Sequence, residues 1–274
     1  MKRIWMITGA SRGLGARIAE AVLDHGDSVV VTARRRESIA LRGNPEDVLA
    51  LSMDVTDAVQ VQAAMTAAKE KFGRIDVLVN NAGYGLLGAI EESSPEEIEA
   101  IYRTNVFGLL HVTRAVLPMM REQGSGHILN ISSLGGYQAS AGWGIYGSTK
   151  FAVEGITEAL YAELKPLGIH ATVIEPGFFR TDFMDGSSLR RTKVELEAYA
   201  ATVGKTRSFA DQNNRRQPGD PAKLAAVLIE IVNAPDPPVR LQAGSDAVRR
   251  IEAKNAAVAA DIATWRTLSE STDL

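Results

Sequence analysis

Tyr146-Gly147-Ser148-Thr149-Lys150 sets a phenol and an ammonium four residues apart. On a helix that spacing puts both side chains on one face. A nearby cation favours the phenolate and lowers a tyrosine pKa from its ordinary value of about 10. A tyrosine so placed is an acid–base group usable near neutral pH. Two hydroxyls, Ser132 and Ser133, end the apolar run Gly126–Ile131, which reads as a strand. Open α/β sheets bind ligands at that end of their strands. Asn105, in Arg103-Thr104-Asn105-Val106, stands inside a helical pattern where asparagine is unfavourable by propensity. It is there for a polar contact or for nothing. Taken singly, each residue has an ordinary structural explanation: a helix pair, a capping serine, a helix-surface asparagine.

A second constellation lies near the N-terminus. The run Ile4–Thr8 leads directly into Gly9-Ala10-Ser11-Arg12-Gly13-Leu14-Gly15, and a helical pattern follows. Glycine permits positive φ and close backbone approach. The free N–H groups of a new helix suit a phosphate. The spacing is G-x-x-x-G-x-G, which departs from the G-x-G-x-x-G dinucleotide fingerprint. A tight strand-to-helix turn is the plainer alternative. After the second strand come Ala33-Arg34-Arg35-Arg36, with the first acidic residue, Glu37, only beyond them. An NAD site usually places a carboxylate here for the ribose 2′-hydroxyl. Guanidinium groups suit the 2′-phosphate of NADP instead. Arg34 and Arg35 are the candidates, with Arg12 as a further positive contact, so the reading is NADP(H) over NAD. A solvated basic turn is the alternative.

Together these elements resemble the short-chain dehydrogenases/reductases, in their single-domain branch, over roughly residues 3–183. The stretch Gly9–Gly15, with Ser11, Arg12, Gly13 and Leu14, resembles the family's cofactor loop. Asp54-Val55 resembles its adenine contact, and Asn80-Asn81-Ala82-Gly83 the segment lining the cofactor. Pro176-Gly177-Phe178-Phe179-Arg180-Thr181 resembles its nicotinamide loop. Asn105, Ser133, Tyr146 and Lys150 match its catalytic tetrad. The family's serine lies about thirteen residues before the tyrosine, which selects Ser133 over Ser132. The resemblance implies that Ser133 hydrogen-bonds the reacting oxygen and that Tyr146 donates or removes its proton. It implies that Lys150 holds the nicotinamide ribose and that Asn105 holds a water linking Lys150 to solvent.

Within the resemblance, Leu134, Tyr137, Gln138, Trp143, Phe178, Phe183 and Met184 fall where the substrate is chosen, as does Phe179 on its nicotinamide side. Their apolar character suits a hydrophobic ketone, aldehyde or secondary alcohol. The nearest likeness is to bacterial carbonyl reductases related to the hydroxysteroid and retinol dehydrogenase branch. A non-catalytic NADP(H)-binding sensor on the same fold is the alternative. A sugar-nucleotide epimerase or dehydratase, which shares Y-x-x-x-K, would need a longer chain. A homodimer through the helices at 95–122 and 147–166 is expected from the family.

The elements that must position these residues alternate in kind. Ile4–Thr8, Ser28–Thr32, Val48–Met53, Val77–Asn80, Gly126–Ile131, His170–Ile174 and Val239–Ala243 read as strands. Most are continuously apolar, as in a parallel sheet covered on both faces. Helical patterns fall near 14–26, 57–72, 95–122, 147–166, 221–233 and 246–267. Ser94-Pro95-Glu96-Glu97 is a capping box, and Asp220-Pro221 another helix start. Pro118 is expected to kink or end its helix. This pattern predicts an α/β Rossmann-type doubly wound sheet of about seven parallel strands, as one domain with a C-terminal helical extension from about residue 246. That helix is expected to cover the edge strand. Residues 178–219 are the least regular and are expected to form a binding loop or lid.

The 274 residues carry 30 Lys and Arg against 33 Asp and Glu, and no cysteine. Disulfides, thiolate metal sites and cysteine nucleophiles are therefore excluded. The slight acidity argues against nucleic acid as a partner. No apolar run approaches the roughly 18 residues that span a bilayer, and a cytoplasmic location is the default expectation. His25, His111, His127 and His170 are scattered along the chain, so no metal site is expected.

Overall fold

The computed structural model describes residues 2–274. Seven parallel strands form the central sheet: β1 (Ile4–Thr8), β2 (Ser28–Ala33), β3 (Val48–Ser52), β4 (Val77–Asn80), β6 (Gly126–Ile131), β7 (Ile169–Pro176) and β9 (Arg240–Ala243). Their order is β3-β2-β1-β4-β6-β7-β9. The chain winds outward one way from β1 and then the other way from β4. The crevice beyond the β1 and β4 ends is therefore the topological switch point, where ligands of such sheets bind. Two further short strands, β5 (Gly85–Leu87) and β8 (Leu189–Arg191), pair with each other in parallel outside the main sheet.

Helices cover both faces. Helices α2 (Ala58–Phe72), α4 (Leu109–Gln123) and α5 (Gly144–Leu164) pack on one, burying Met65, Val112, Val116 and Leu160 against Met6 and Val30. Helices α1 (Gly13–Asp24) and α7 (Pro221–Asn233) pack on the other, burying Ile18, Val22, Leu224 and Leu228 against Trp5 and Ile7. The capping box at Ser94 opens α3 (Pro95–Tyr102), and Asp220 caps α7.

Three expectations need correcting. Pro118 neither ends nor splits its helix; α4 runs through it. The break in the 95–122 pattern falls earlier, at a π-helical turn, Arg103–Gly108. Residues 178–219 are not irregular throughout, since they contain β8 and α6 (Lys205–Asn213). The C-terminal helix α8 (Ser245–Glu270) buries only Ala247 and Ile251, and its later turns stand exposed instead of covering the edge strand.

Candidate active site

The turn after β1 is built by close packing. Gly9 has φ +68°, and a Cβ there would lie 2.9 Å from the Ala82 Cα. A Cβ on Gly15 would lie 2.5 Å from Asn81 Nδ2, so α1 can pack this tightly only on glycine. Asn81 in turn donates to the Thr8 and Gly9 carbonyls at 2.9 and 3.1 Å. Thr8 Oγ1 accepts from the Asn81 and Ala82 N–H groups. This lattice fixes the β1 and β4 ends to each other. No side chain caps the start of α1. Helix starts of this kind favour anions.

That turn is one end of a cavity of about 1160 Å³. Gly9, Ser11, Arg12, Gly13 and Leu14 line it, followed by Arg34 and by Asp54 and Val55. Asn81, Ala82 and Gly83 form its floor beside Ser133, Tyr146 and Lys150. Pro176, Gly177, Phe179 and Thr181 form a further wall. Arg34 is exposed and lines the cavity. Arg35 does not reach the cavity; its carbonyl accepts from Ser38 Oγ at the next turn. Arg12 lines the cavity but donates across its mouth to the Ser187 carbonyl and, at 3.1 Å, to Ser188 Oγ. Asp54 accepts from the Thr56 N–H and hydroxyl at 2.9 and 2.8 Å.

The chemical end of the cavity is placed by β6 and α5. Ser133 follows β6 in an extended conformation, and its Oγ accepts from the Gly135 N–H at 3.1 Å. Tyr146 and Lys150 lie one turn apart near the start of α5. Lys150 Nζ donates to the Ile131 carbonyl at 2.8 Å and lies 5.8 Å from the Tyr146 ring centre. The Tyr146 ring stands between Trp143 and Phe183, at 5.6 and 5.5 Å between centres. Burial pushes the Tyr146 phenol up to about 12, against the opposing hydrogen bond with Ser133. Burial likewise pushes Lys150 down to about 8, with the Glu154 carboxylate opposing it. Desolvation thus outweighs the Ser133 hydrogen bond, and the phenol stands above its ordinary value instead of below it.

Asn105 occupies the π-helical turn and is buried. Its Nδ2 donates to the Tyr84 carbonyl at 2.9 Å and to Thr149 Oγ1 at 3.1 Å. Its Oδ1 accepts from the Tyr84 N–H at 3.1 Å. A Cβ on Gly83 would lie 3.0 Å from that Oδ1 and 3.7 Å from Lys150 Nζ, so a side chain at this position would crowd both. The asparagine therefore has a polar contact, and a π-turn often accompanies a functional position.

Among the pocket candidates, Leu134, Gln138, Trp143, Phe178, Phe183 and Met184 line the cavity. Tyr137 does not. Its hydroxyl donates to Asn255 Oδ1 at 2.5 Å and its ring lies against the Arg240 guanidinium. The 3₁₀ turn at Leu134–Gly136 directs it to the outer side. Tyr84 and Arg190, which carry no motif in the sequence, also stand at the cavity wall, the guanidinium 4.4 Å from the Tyr84 ring centre. Arg103, Phe209 and Gln217 line the cavity as well. The only sequence signal for the last two was that they belong to the long segment read as a binding loop. His127 and His170, scattered in sequence, are cross-strand neighbours on β6 and β7. Among the described residues, no group of three or more His, Asp or Glu side chains is arranged to hold a metal ion.

The family profile described as short chain dehydrogenase matches residues 3–192. The chain belongs to the short-chain dehydrogenase/reductase family. It is an oxidoreductase of that family by its relatives as well. It is 42% identical over 272 residues to "Oxidoreductase BOA17" of Botryotinia fuckeliana, covering 98% of each chain. It is 36% identical over 242 residues to the 3-ketodihydrosphingosine reductase of Bacteroides thetaiotaomicron, covering 88% of each. A short-chain dehydrogenase from Streptomyces avermitilis superposes with a TM-score of 0.94 at 40% identity over all of both chains. Family members of similar fold have been solved with either dinucleotide. One from Burkholderia phymatum holds NAD (TM-score 0.80, 27% identity, 92% of each chain). A serine dehydrogenase holds NADP+ (TM-score 0.75, 28% identity, 87% of this chain and 93% of that one). Among the described residues, no helix of this short-chain dehydrogenase/reductase is long and apolar enough to cross a membrane.

Proposed function

We propose that this chain is an NADP(H)-dependent reductase of mostly apolar ketones or aldehydes, which it interconverts with the alcohols. The observation that carries the proposal is one cavity joining the glycine turn to Ser133, Tyr146 and Lys150. With its phenol above the ordinary value, Tyr146 carries its proton at neutral pH, the form that carbonyl reduction consumes. Leu134, Trp143, Phe178, Phe183 and Met184 supply an apolar wall around that phenol. The relative named as a 3-ketodihydrosphingosine reductase acts, by that name, on a ketone.

The residues present fit a dinucleotide. The uncapped start of α1 and the side-chain-free cradle at Gly9 suit a pyrophosphate. Arg34 would take a 2′-phosphate, with Arg12 released from Ser187 as a second contact. Asp54 and Val55 would flank the adenine, and Pro176, Gly177, Phe179 and Thr181 the nicotinamide. When bound, the nicotinamide supplies or takes up a hydride. Ser133 would hold the substrate oxygen by a hydrogen bond. Tyr146 would pass its proton to that oxygen as negative charge develops. Lys150, largely charged at neutral pH, would stabilise the phenolate left behind. Asn105 would anchor the 84–105 wall and hold a water beside Lys150.

The reading includes a homodimer through the faces of the π-turn and α5, where Phe107 and Phe151 stand 52% and 45% exposed.

NADPH oxidation over a panel of apolar ketones and aldehydes tests the activity. Tyr146→Phe is expected to lower turnover by about 10²–10⁴-fold while NADPH still binds. Undiminished turnover in that variant would overturn the mechanism. NADPH binding without turnover of any panel member would favour the sensor.

A further inference from the structure

Behind the catalytic groups lies a buried ionic cluster that none of the roles above uses. Glu154 follows Lys150 by one turn of α5 and is 4% exposed; Glu175, at the end of β7 before Pro176, is 0% exposed. Both carboxylates converge on one cation. Arg240 Nε on β9 lies 3.3 Å from Glu154 Oε2 and 3.4 Å from Glu175 Oε1. The same guanidinium spends Nη1 on the exposed Glu158, at 2.7 Å. Glu175 Oε2 also accepts from Gln242 Nε2 at 2.9 Å. Neither Glu154 oxygen has a well-aligned hydrogen bond.

The charge count is unfavourable as it stands. Two buried carboxylates face half of one guanidinium, and like charges so close resist joint ionisation. The geometry points to one proton shared by Glu154 and Glu175 under Arg240, with this pair acting as a positioning element that sets the charge of Lys150. This rests on the reductase reading for its effect on catalysis, though not for the proton itself. Burial, reinforced by Glu175, pushes Glu154 up to about 8, the same region to which burial pushes Lys150 down.

The groups facing the pair come from every element packed on it. Lys150 and Glu158 share its helix, Ser132 comes from the end of β6, Arg240 and Gln242 come from β9, and Tyr137 covers the guanidinium. Arg240 is charged throughout, and Glu158 is exposed. Near neutral pH the groups that change charge are thus the pair and Lys150. When the pair gives up its shared proton to solvent, its second negative charge holds the proton on Lys150 to higher pH. A charged Lys150 favours the Tyr146 phenolate. Proton uptake by the pair has the reverse effect.

Infrared difference spectroscopy of the ligand-free protein tests the shared proton. A protonated-carboxyl band is expected at pH 7, fading as pH rises through about 8. Glu154→Gln should abolish it, and Glu175→Gln should make it fade at lower pH, because burial still acts on Glu154 when its charged neighbour is gone. Absence of the band in the native protein, its survival in Glu154→Gln, or an unmoved fade in Glu175→Gln would overturn the shared proton. The coupling to Lys150 is read by acylating Lys150 across pH and quantifying the peptide by mass spectrometry. Its midpoint should move acidward by about one pH unit in Glu154→Gln; an unchanged midpoint would overturn the coupling. Where NADPH-dependent turnover is measured, the high-pH fall of the reduction rate should move acidward by a similar amount. A purely structural role for Glu154 would leave that limb in place. The infrared and labelling results need no turnover, so a protein that fails to reduce ketones would refute the reductase reading and leave the pair testable.

Discussion

Arg207 Nη2 meets Glu92 Oε2 at 2.6 Å with both side chains buried. Glu92 also accepts from the Ala89 and Leu196 N–H groups, at 2.7 and 2.8 Å. One carboxylate therefore ties α6 and the 192–196 segment to the loop after β5. Removing one partner of a buried pair strands the other charge and costs about 3–5 kcal/mol. Arg207→Met is expected to lose stability of that order and to speed amide exchange over residues 192–213, while the β1–β4 region stays protected. Arg207→Met combined with Glu92→Gln should recover much of the loss, since no charge is then stranded. Exchange mass spectrometry checks both, and unchanged exchange at 192–213 would refute the anchoring role.

The proposed preference for NADPH puts its weight on Arg34. It lines the cavity beyond β2, and the first acidic residue after that strand in sequence is Glu37. Arg34→Ala should weaken NADPH by about tenfold or more, the loss of one charge-assisted contact worth about 1.5–3 kcal/mol. NADH binding should change little. Fluorescence titration with both dinucleotides measures it. Equal losses for the two would mean that Arg34 is only a solvated turn residue.

Phe107 and Phe151 bear on the proposed dimer. Both are large, apolar and about half exposed, on the π-turn and on α5. Phe151→Glu should shift the protein from dimer to monomer in sedimentation equilibrium, because it puts a charge into a desolvated contact. A native protein that sediments as a monomer would refute the assembly directly.

The sheet was legible because its strands are buried on both faces and so read as unbroken apolar runs, as Val29-Val30-Val31 does. The helix starts at Ser94 and Asp220 were legible because their caps are local chemistry. The candidate reacting groups were legible as types and spacings. Three things were not. The Tyr146 pKa depends on how far the ring is buried between Trp143 and Phe183, which four-residue spacing does not encode. Tyr137 turns outward because of a 3₁₀ turn whose glycines, Gly135 and Gly136, fit many conformations. Helix α6 was hidden because its sequence, Lys205–Asn213, is mostly polar and is held by the long-range Arg207–Glu92 pair.

His127 gives the stability of the fold a dependence on acid. It is buried on β6 beside His170 on β7, with ring centres 5.5 Å apart. Thr172 Oγ1 donates to the Pro238 carbonyl at 2.7 Å, so its contact with His127 Nε2 at 2.9 Å requires that nitrogen to be the donor. Burial pushes His127 down to about 3, with the charges of His170 and Arg3 adding to it. In the unfolded chain the imidazole takes a proton from about pH 6.5 downward. The folded chain refuses it until about pH 3. Between those values the unfolded state binds more protons, so stability falls as pH falls. Its full contribution is present above about pH 6.5, and the part lost by about pH 4.5 is on the order of 2–3 kcal/mol. His127→Gln keeps a donor near the Nε2 position and cannot ionise. Urea unfolding of this variant at pH 7 and pH 4.5 should show a smaller loss on acidification than the native protein, by about that amount. Equal losses in the two proteins would mean that His127 is protonated without unfolding the strand pair around it.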